Sequence, residues 1–320
     1  MKPPLVPAGG ADPKLLPRLG PPYLLFYLIA QDPTTAKLSL KVFLSSFGGA
    51  EEGPGRPRGR IILIYSALFF KIMIAACIQL QIQLCEREEN LRRALALAAE
   101  AIEGGAEILV FPELFLTGFC YRRDLSDRPP YPSLDPLRLL AEEDGCLVVG
   151  SLVDGRLNRG FCLDGAGIGF QEKIHPFGTE KEHFDGGESI SPVKTSRGRI
   201  GLSICYDLRF PEVARSLALA GADLLVTIAQ FPLSRGRVWE TLCRARAIEN
   251  QIHHIGCNGA GPQFSGGSVI LDPRGRALAE AGPDEEVILA EIDLAERDSA
   301  RREIPALADR RPEIYRSFEG

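Results

Sequence analysis

Three residues share a setting in which a side chain can do chemistry: Glu113, Lys173 and Cys205. Each lies just past an apolar run that reads as a strand, and each is flanked by turn or loop signals. Glu113 follows Val110-Phe111-Pro112. Lys173 precedes Ile174-His175-Pro176. Cys205 closes the run Ile200-Gly-Leu-Ser-Ile204 and leads toward Pro211. Strand ends are where layered α/β proteins place ligands and catalytic groups. A thiol between a strand and a helix senses the positive end of the helix and can be partly ionised. A carboxylate such as Glu113, partly desolvated behind an apolar strand, is raised toward a useful base and can take the thiol proton. A lysine supplies positive charge to a developing oxyanion. Each residue also has a plainer reading: a buried structural cysteine, an exposed loop acid, a surface lysine.

From Met73 onward, strand and helix patterns alternate, and these elements would have to position the three residues. Strands read over 74–82, 108–111, 146–152, 199–204, 224–228, 251–257, 268–271 and 287–292. Helices read over 86–103, 136–143, 211–220 and 237–250, the first with Leu91, Leu95, Ala98 and Ile102 on one face. Residues 161–163 and 168–172 form a hairpin pattern about Gly165–Gly167. The alternation predicts a layered α/β fold, and the hairpin excludes an all-parallel sheet.

The chain has 320 residues, 45% hydrophobic and 25% charged, too apolar for a disordered protein. Its charge is uneven: residues 1–72 carry +5 and the remainder −10. An acidic body argues against nucleic acid as a partner. The eight cysteines contain no CxxC pair, a spacing that suits free thiols in a reducing, cytoplasmic compartment better than a disulfide scaffold. Residues 1–60 are broken by Pro and Gly. The run 61–78 is at the lower edge of membrane-span length, but Lys71 interrupts it and its later part reads as a strand. We read a membrane anchor as the weaker option. The only methionines are Met1 and Met73. Residues 1–72 are therefore read as an N-terminal extension, either a poorly ordered arm or sequence upstream of the true start, and 73–320 as one domain.

Phe111-Pro112-Glu113-Leu114, Glu172-Lys173-Ile174-His175-Pro176-Phe177 and Cys205-Tyr206-Asp207-Leu208-Arg209-Phe210-Pro211-Glu212 strongly resemble, in order and interval, the three signature segments of the nitrilase superfamily, the carbon–nitrogen hydrolases. Further stretches resemble the family at 244–250, 264–268, 272–275 and 309–315. Three ordered motifs are specific where one would be weak. The resemblance covers about 73–320. It implies a four-layer α-β-β-α sandwich, with Glu113 as general base, Lys173 as oxyanion stabiliser and Cys205 as nucleophile. The Tyr206 N–H would be a second oxyanion donor. It implies hydrolysis of a small amide through a thioester, with no metal or organic cofactor. It also implies at least a homodimer, packed through the helix at 211–220. Many members carry a further glutamate in the loop after the lysine. Glu180 and Glu182 both qualify, and Glu180 has the offset of the short-loop relatives.

The segment after Cys205 looks more like the amidase branches, including ω-amidase-like proteins, than like true nitrilases, which have tryptophan-containing sequence there. Arg209, four residues after the cysteine, offers a fork for a substrate carboxylate. It could equally be tied to Asp207, Glu212 or another acid. N-carbamoyl amide hydrolysis, nitrile hydrolysis, ammonia supply to a synthetase and a non-catalytic binding role remain alternatives. A metal site using His253, His254 and Cys257 is disfavoured, because consecutive strand residues point to opposite faces.

Overall fold

The computed structural model describes residues 72–315. The expectations for residues 1–71, including most of the apolar run at 61–78, lie outside the described residues. The end of that run is not part of a spanning helix: Ile72 opens strand β1 (Ile72–Gln79). No described helix is long and apolar enough to cross a membrane.

Two six-stranded mixed sheets form the centre. The first contains β1, β2 (Ile108–Val110), β3 (Leu147–Asp154), β4 (Leu157–Asp164) and β5 (Gly167–Glu172), with β12 (Glu286–Asp293) on the far side of β1. The second runs from β6 (Val193–Thr195) through β7 (Gly198–Ile204), β8 (Leu224–Ala229), β9 (His254–Asn258) and β10 (Val269–Leu271) to β11 (Ala277–Glu280). Strands β1, β2 and β3 are parallel, as are β7, β8 and β9, and antiparallel strands complete each sheet. The expected hairpin is β4–β5.

Alternation along the strands makes the layers. In β1, Met73, Ala75 and Cys77 join the core between the sheets, whereas Ala76 and Ile78 join the core beneath the helices. Helices α1 (Arg87–Glu103) and α2 (Asp135–Asp144) cover the first sheet. Helices α3 (Pro211–Leu219) and α4 (Gly236–Asn250) cover the second, with α5 (Glu296–Glu303) and α6 (Pro312–Tyr315) toward the C-terminus. This is the α-β-β-α sandwich. Close approach of the sheets depends on Gly160 of β4, where a Cβ would stand 2.7 Å from Leu202 of β7. That contact holds the strand ending at Cys205 against the hairpin ending at Lys173.

The buried face of α1 differs from the expected one. Asn90, Ala94, Ala98 and Ala101 are buried, and Leu91, Leu95 and Ile102 flank them. Small residues let the helix sit close on its sheet, so the longer side chains pack at the sides of the contact. Asn90 exchanges hydrogen bonds with the backbone of Gln83 and also donates to the Leu116 carbonyl.

The reading of all eight cysteines as free thiols is corrected. Cys85 and Cys120 are disulfide-bonded, and the other six are free and buried. The pairing is tertiary: the loop after β1 and the loop after β2 meet, bringing the two Cα atoms to 5.3 Å. A separation of 35 residues carries no local signal of this. Closing a loop of that length stabilises by about 2–4 kcal/mol. Cys85→Ser/Cys120→Ser is therefore expected to unfold at lower denaturant than the oxidised parent. Equal midpoints would show that the bond contributes nothing.

Candidate active site

Four strand ends converge to build the site. Glu113 lies past β2, Lys173 directly after β5, Cys205 directly after β7, and Gln230 directly after β8. The loop carrying Glu113 is held at both ends. Leu114 adopts a positive φ of 47° and donates its N–H to Ser151 Oγ at 2.8 Å. Farther along, the Cys85 N–H donates to the Thr117 carbonyl, next to the disulfide at Cys120.

Cys205 opens a 3₁₀ turn, Cys205–Arg209, with φ of 50°. A positive φ at a non-glycine residue costs energy that its surroundings must supply. They supply it in two places. Asp207, 1% exposed, accepts N–H bonds from Ile204, Ile174 and His175, and its Oδ1 lies 2.9 Å from His175 Nδ1. One carboxylate thus fastens the cysteine turn to the lysine loop. From below, buried Arg246 of α4 donates twice to the Leu208 carbonyl, at 3.0 and 2.7 Å.

Lys173, 1% exposed, donates to Glu113 Oε1 and Glu180 Oε2, both at 2.7 Å. An ammonium has three donors, so one remains for another acceptor. Glu113 is completely buried. Its Oε1 also accepts from Asn158 Nδ2 at 2.7 Å, and its Oε2 accepts from the Gln230 N–H at 3.2 Å. The Gln230 side chain donates to the Glu113 carbonyl at 2.8 Å. Glu180 sits in the 3₁₀ turn Gly178–Glu182 and is 5% exposed, whereas Glu182 is exposed.

The electrostatics follow from burial and these pairs. Burial opposes the charge of Lys173, but Glu113, Cys205 and Glu180 together outweigh it and raise its pKa. Burial and the charge of Glu113 push Glu180 up to about 7, against the pull of Lys173. Cys205 differs from expectation. Burial, then the charge of Glu113, raise its pKa well above the ordinary thiol value, and Lys173 offsets only part of this. The thiol is neutral at rest. Enclosure by the two sheets outweighs the helix-end field that the sequence suggested.

A cavity of about 380 Å³ opens above Cys205. Phe119, Tyr121, Phe177, Tyr206 and Phe231 supply aromatic walls, and Glu180, Arg209 and Arg235 supply charge. Arg209 is half-buried, its guanidinium carbon 5.9 Å from the Phe231 ring centre. Among the described residues, no carboxylate pairs with it. Asp207 is engaged elsewhere, which leaves Arg209 to the cavity. Sequence reasoning did not single out Asn158, Gln230 or Arg235. Asn158 lies inside a strand and Gln230 just past one, and only tertiary contact aims them at Glu113.

His253, His254 and Cys257 diverge. His254 bonds Thr227 Oγ1 and the Cys243 carbonyl, Cys257 Sγ reaches the Val110 carbonyl, and His253 faces Glu296 at 3.4 Å. Burial lowers both imidazoles to about 4, so both are neutral.

The sequence model of the carbon–nitrogen hydrolase family matches residues 74–302. The 2-oxoglutaramate amidase of Bacillus subtilis is 36% identical over 260 residues, covering 75% of this chain and 98% of the relative. Omega-amidase NIT2 of Bos taurus is 34% identical, covering 75% and 95%. Among solved structures, Saccharomyces cerevisiae Nit3, a member of branch 10 of the nitrilase superfamily, matches with a TM-score of 0.70 at 30% identity, over 75% of this chain and 97% of that one. A mutant amidase from Nesterenkonia sp. AN1, with the acetamide moiety of fluoroacetamide added covalently at its active-site cysteine, matches with a TM-score of 0.68 at 29% identity, over 77% and 97%. With a buried glutamate, lysine and cysteine at the strand ends and a family match across most of its length, this chain belongs to the carbon–nitrogen hydrolases.

Proposed function

We propose that this enzyme hydrolyses a small amide that carries a carboxylate, through a thioester on Cys205. The observation that carries the substrate class is Arg209, which lines the same cavity as Cys205 and has no acidic partner among the described residues. The printed activities of the relatives, 2-oxoglutaramate amidase and omega-amidase, support the same class. Buried Glu113 and Lys173 around the thiol weigh against a non-catalytic role. Nothing in the cavity favours nitriles or N-carbamoyl compounds.

The reaction runs on groups already in contact. Glu113 takes the Cys205 proton as sulfur attacks the amide carbon. The third donor of Lys173 and the N–H of Tyr206, at the start of its turn where intrahelical acceptors are lacking, stabilise the oxyanion. Glu113 returns the proton to the leaving nitrogen and ammonia departs. Glu113 then activates water, which cleaves the thioester to the acid and restores the thiol. Glu180 positions Lys173 through their hydrogen bond. Asp207, the neighbour of Tyr206, holds the turn in register.

The domain is read as 73–320, preceded by an extension. A homodimer packed through α3 is supported by Leu219 at the end of that helix, which is 50% exposed. The six buried free thiols support a cytoplasmic setting, against which the Cys85–Cys120 bond is the one contrary feature.

Cys205→Ala is expected to abolish ammonia release with the fold intact. Glu113→Gln is expected to lose about 10²–10⁴-fold in rate, and Lys173→Ala about 10²–10³-fold. Full turnover by Cys205→Ala would end this mechanism. Because Glu180 is held at about 7, the pH profile of kcat/KM should carry an ionisation near neutrality. Glu180→Gln should remove it, and a profile unchanged by that substitution would take Glu180 out of the site. Arg209→Met should weaken an acidic amide by roughly 1.5–3 kcal/mol relative to its neutral counterpart. Equal losses on both substrates would make Arg209 structural.

A further inference from the structure

The cavity holds a second unclaimed guanidinium. Arg235 ends the 3₁₀ turn Leu233–Arg235, in the loop between β8 and α4. It lines the cavity with Cys205 and Arg209 and is half-buried. Its guanidinium carbon stands 5.2 Å from the ring centre of Phe177, and Arg209 rests in the same way on Phe231. An aromatic face favours a guanidinium without using its hydrogen-bond donors. Among the described residues, no carboxylate pairs with Arg235 and no group accepts a hydrogen bond from its side chain. The remaining charged group on the wall, Glu180, is committed to Lys173 at 2.7 Å. The space above the thiol therefore faces two cations whose anion must come from a ligand. Arginines paired to local acids elsewhere in this protein, such as Arg246 with Glu249 at 2.7 Å, show the usual alternative.

We propose that Arg235 is a specificity-determining residue: with Arg209 it forms a two-armed receptor for the anionic end of the substrate, and the pair rejects amides that carry an ammonium group beside that carboxylate. The inference rests on the reading of an acidic amide and adds the residue that sets its charge selection. Two guanidiniums attract a carboxylate and repel a neighbouring cation, so one device supplies both affinity and rejection. The favoured class is an ω-amide whose far end is a carboxylate with an unsubstituted or 2-oxo carbon next to it. The disfavoured class is the zwitterionic α-amino acid amide of the same length.

Three amides of similar size separate the possibilities: succinamate, anionic; butyramide, neutral; and asparagine, zwitterionic. The parent enzyme is expected to prefer succinamate to both. In Arg235→Met, the kcat/KM ratio of succinamate to butyramide should fall about 10-fold or more. The ratio of succinamate to asparagine should fall with it, and the loss on succinamate should lie mainly in KM. Arg235→Lys, which keeps the charge and loses the fork, should recover part of both ratios. A parent enzyme with no preference for succinamate over butyramide overturns the acidic-amide reading and this inference together. A parent with that preference, and an Arg235→Met variant in which either ratio holds within about twofold, overturns the Arg235 assignment alone.

Discussion

One buried ammonium organises this site. Lys173 sits between Glu113 and Glu180 in a pocket almost closed to water, with 2.7 Å to each carboxylate. Unpaired, any of these charges would cost several kcal/mol at that depth. Together they hold one another in place. The two acids also bring more negative charge than the lysine neutralises. Burial first, and then that surplus, push Glu180 toward neutrality and make the adjacent thiol resist ionising. In the mechanism we propose, attack is therefore coupled to proton transfer onto Glu113 rather than starting from a standing thiolate.

The rest of the fold serves this cluster. Glu113 and Cys205 are both remote from the lysine in sequence, so strand ends from both sheets must meet at the site. The close approach at Gly160 and Leu202 brings the sheets together. Asp207 then binds the backbone on both sides of the gap, and Arg246 supports the turn from the helix layer. On the other side, Asn90 and the Cys85–Cys120 bond anchor the loop that runs from Glu113 to the cavity wall at Phe119 and Tyr121. Rigidity is concentrated beneath the reacting atoms. Arg209 and Arg235, on the cavity wall, lie nearer solvent.

The legible part of this design was local. Apolar runs ending in Pro112-Glu113, Lys173 and Cys205 marked the strand ends, and the helices at 211–219 and 236–250 follow from periodicity and end signals. Short β6 and β11 escaped notice because Val193-Lys194-Thr195 and Ala277-Leu278-Ala279-Glu280 are too short to display a period and are not the apolar runs that marked the equally short β2 and β10. The α1 face was displaced because helical spacing identifies a stripe of apolar residues but not which of them fit a close contact. Burial of the thiol reversed the expected direction of its pKa, since no sequence window records how two sheets enclose a residue. The disulfide and the roles of Asn158, Gln230 and Arg235 were hidden for the same reason: each depends on a partner brought near only by the completed sandwich.

The ionisation state of Cys205 is the most direct test of this cluster. It can be read as the thiolate ultraviolet absorbance lost on replacing Cys205 with Ala, followed across pH in the resting enzyme. An ordinary thiol is half-ionised at about pH 8.5. No Cys205 thiolate signal is expected up to that pH, because burial and Glu113 keep the proton on sulfur. A Cys205 thiolate already present at about pH 7 would contradict a neutral nucleophile activated by Glu113.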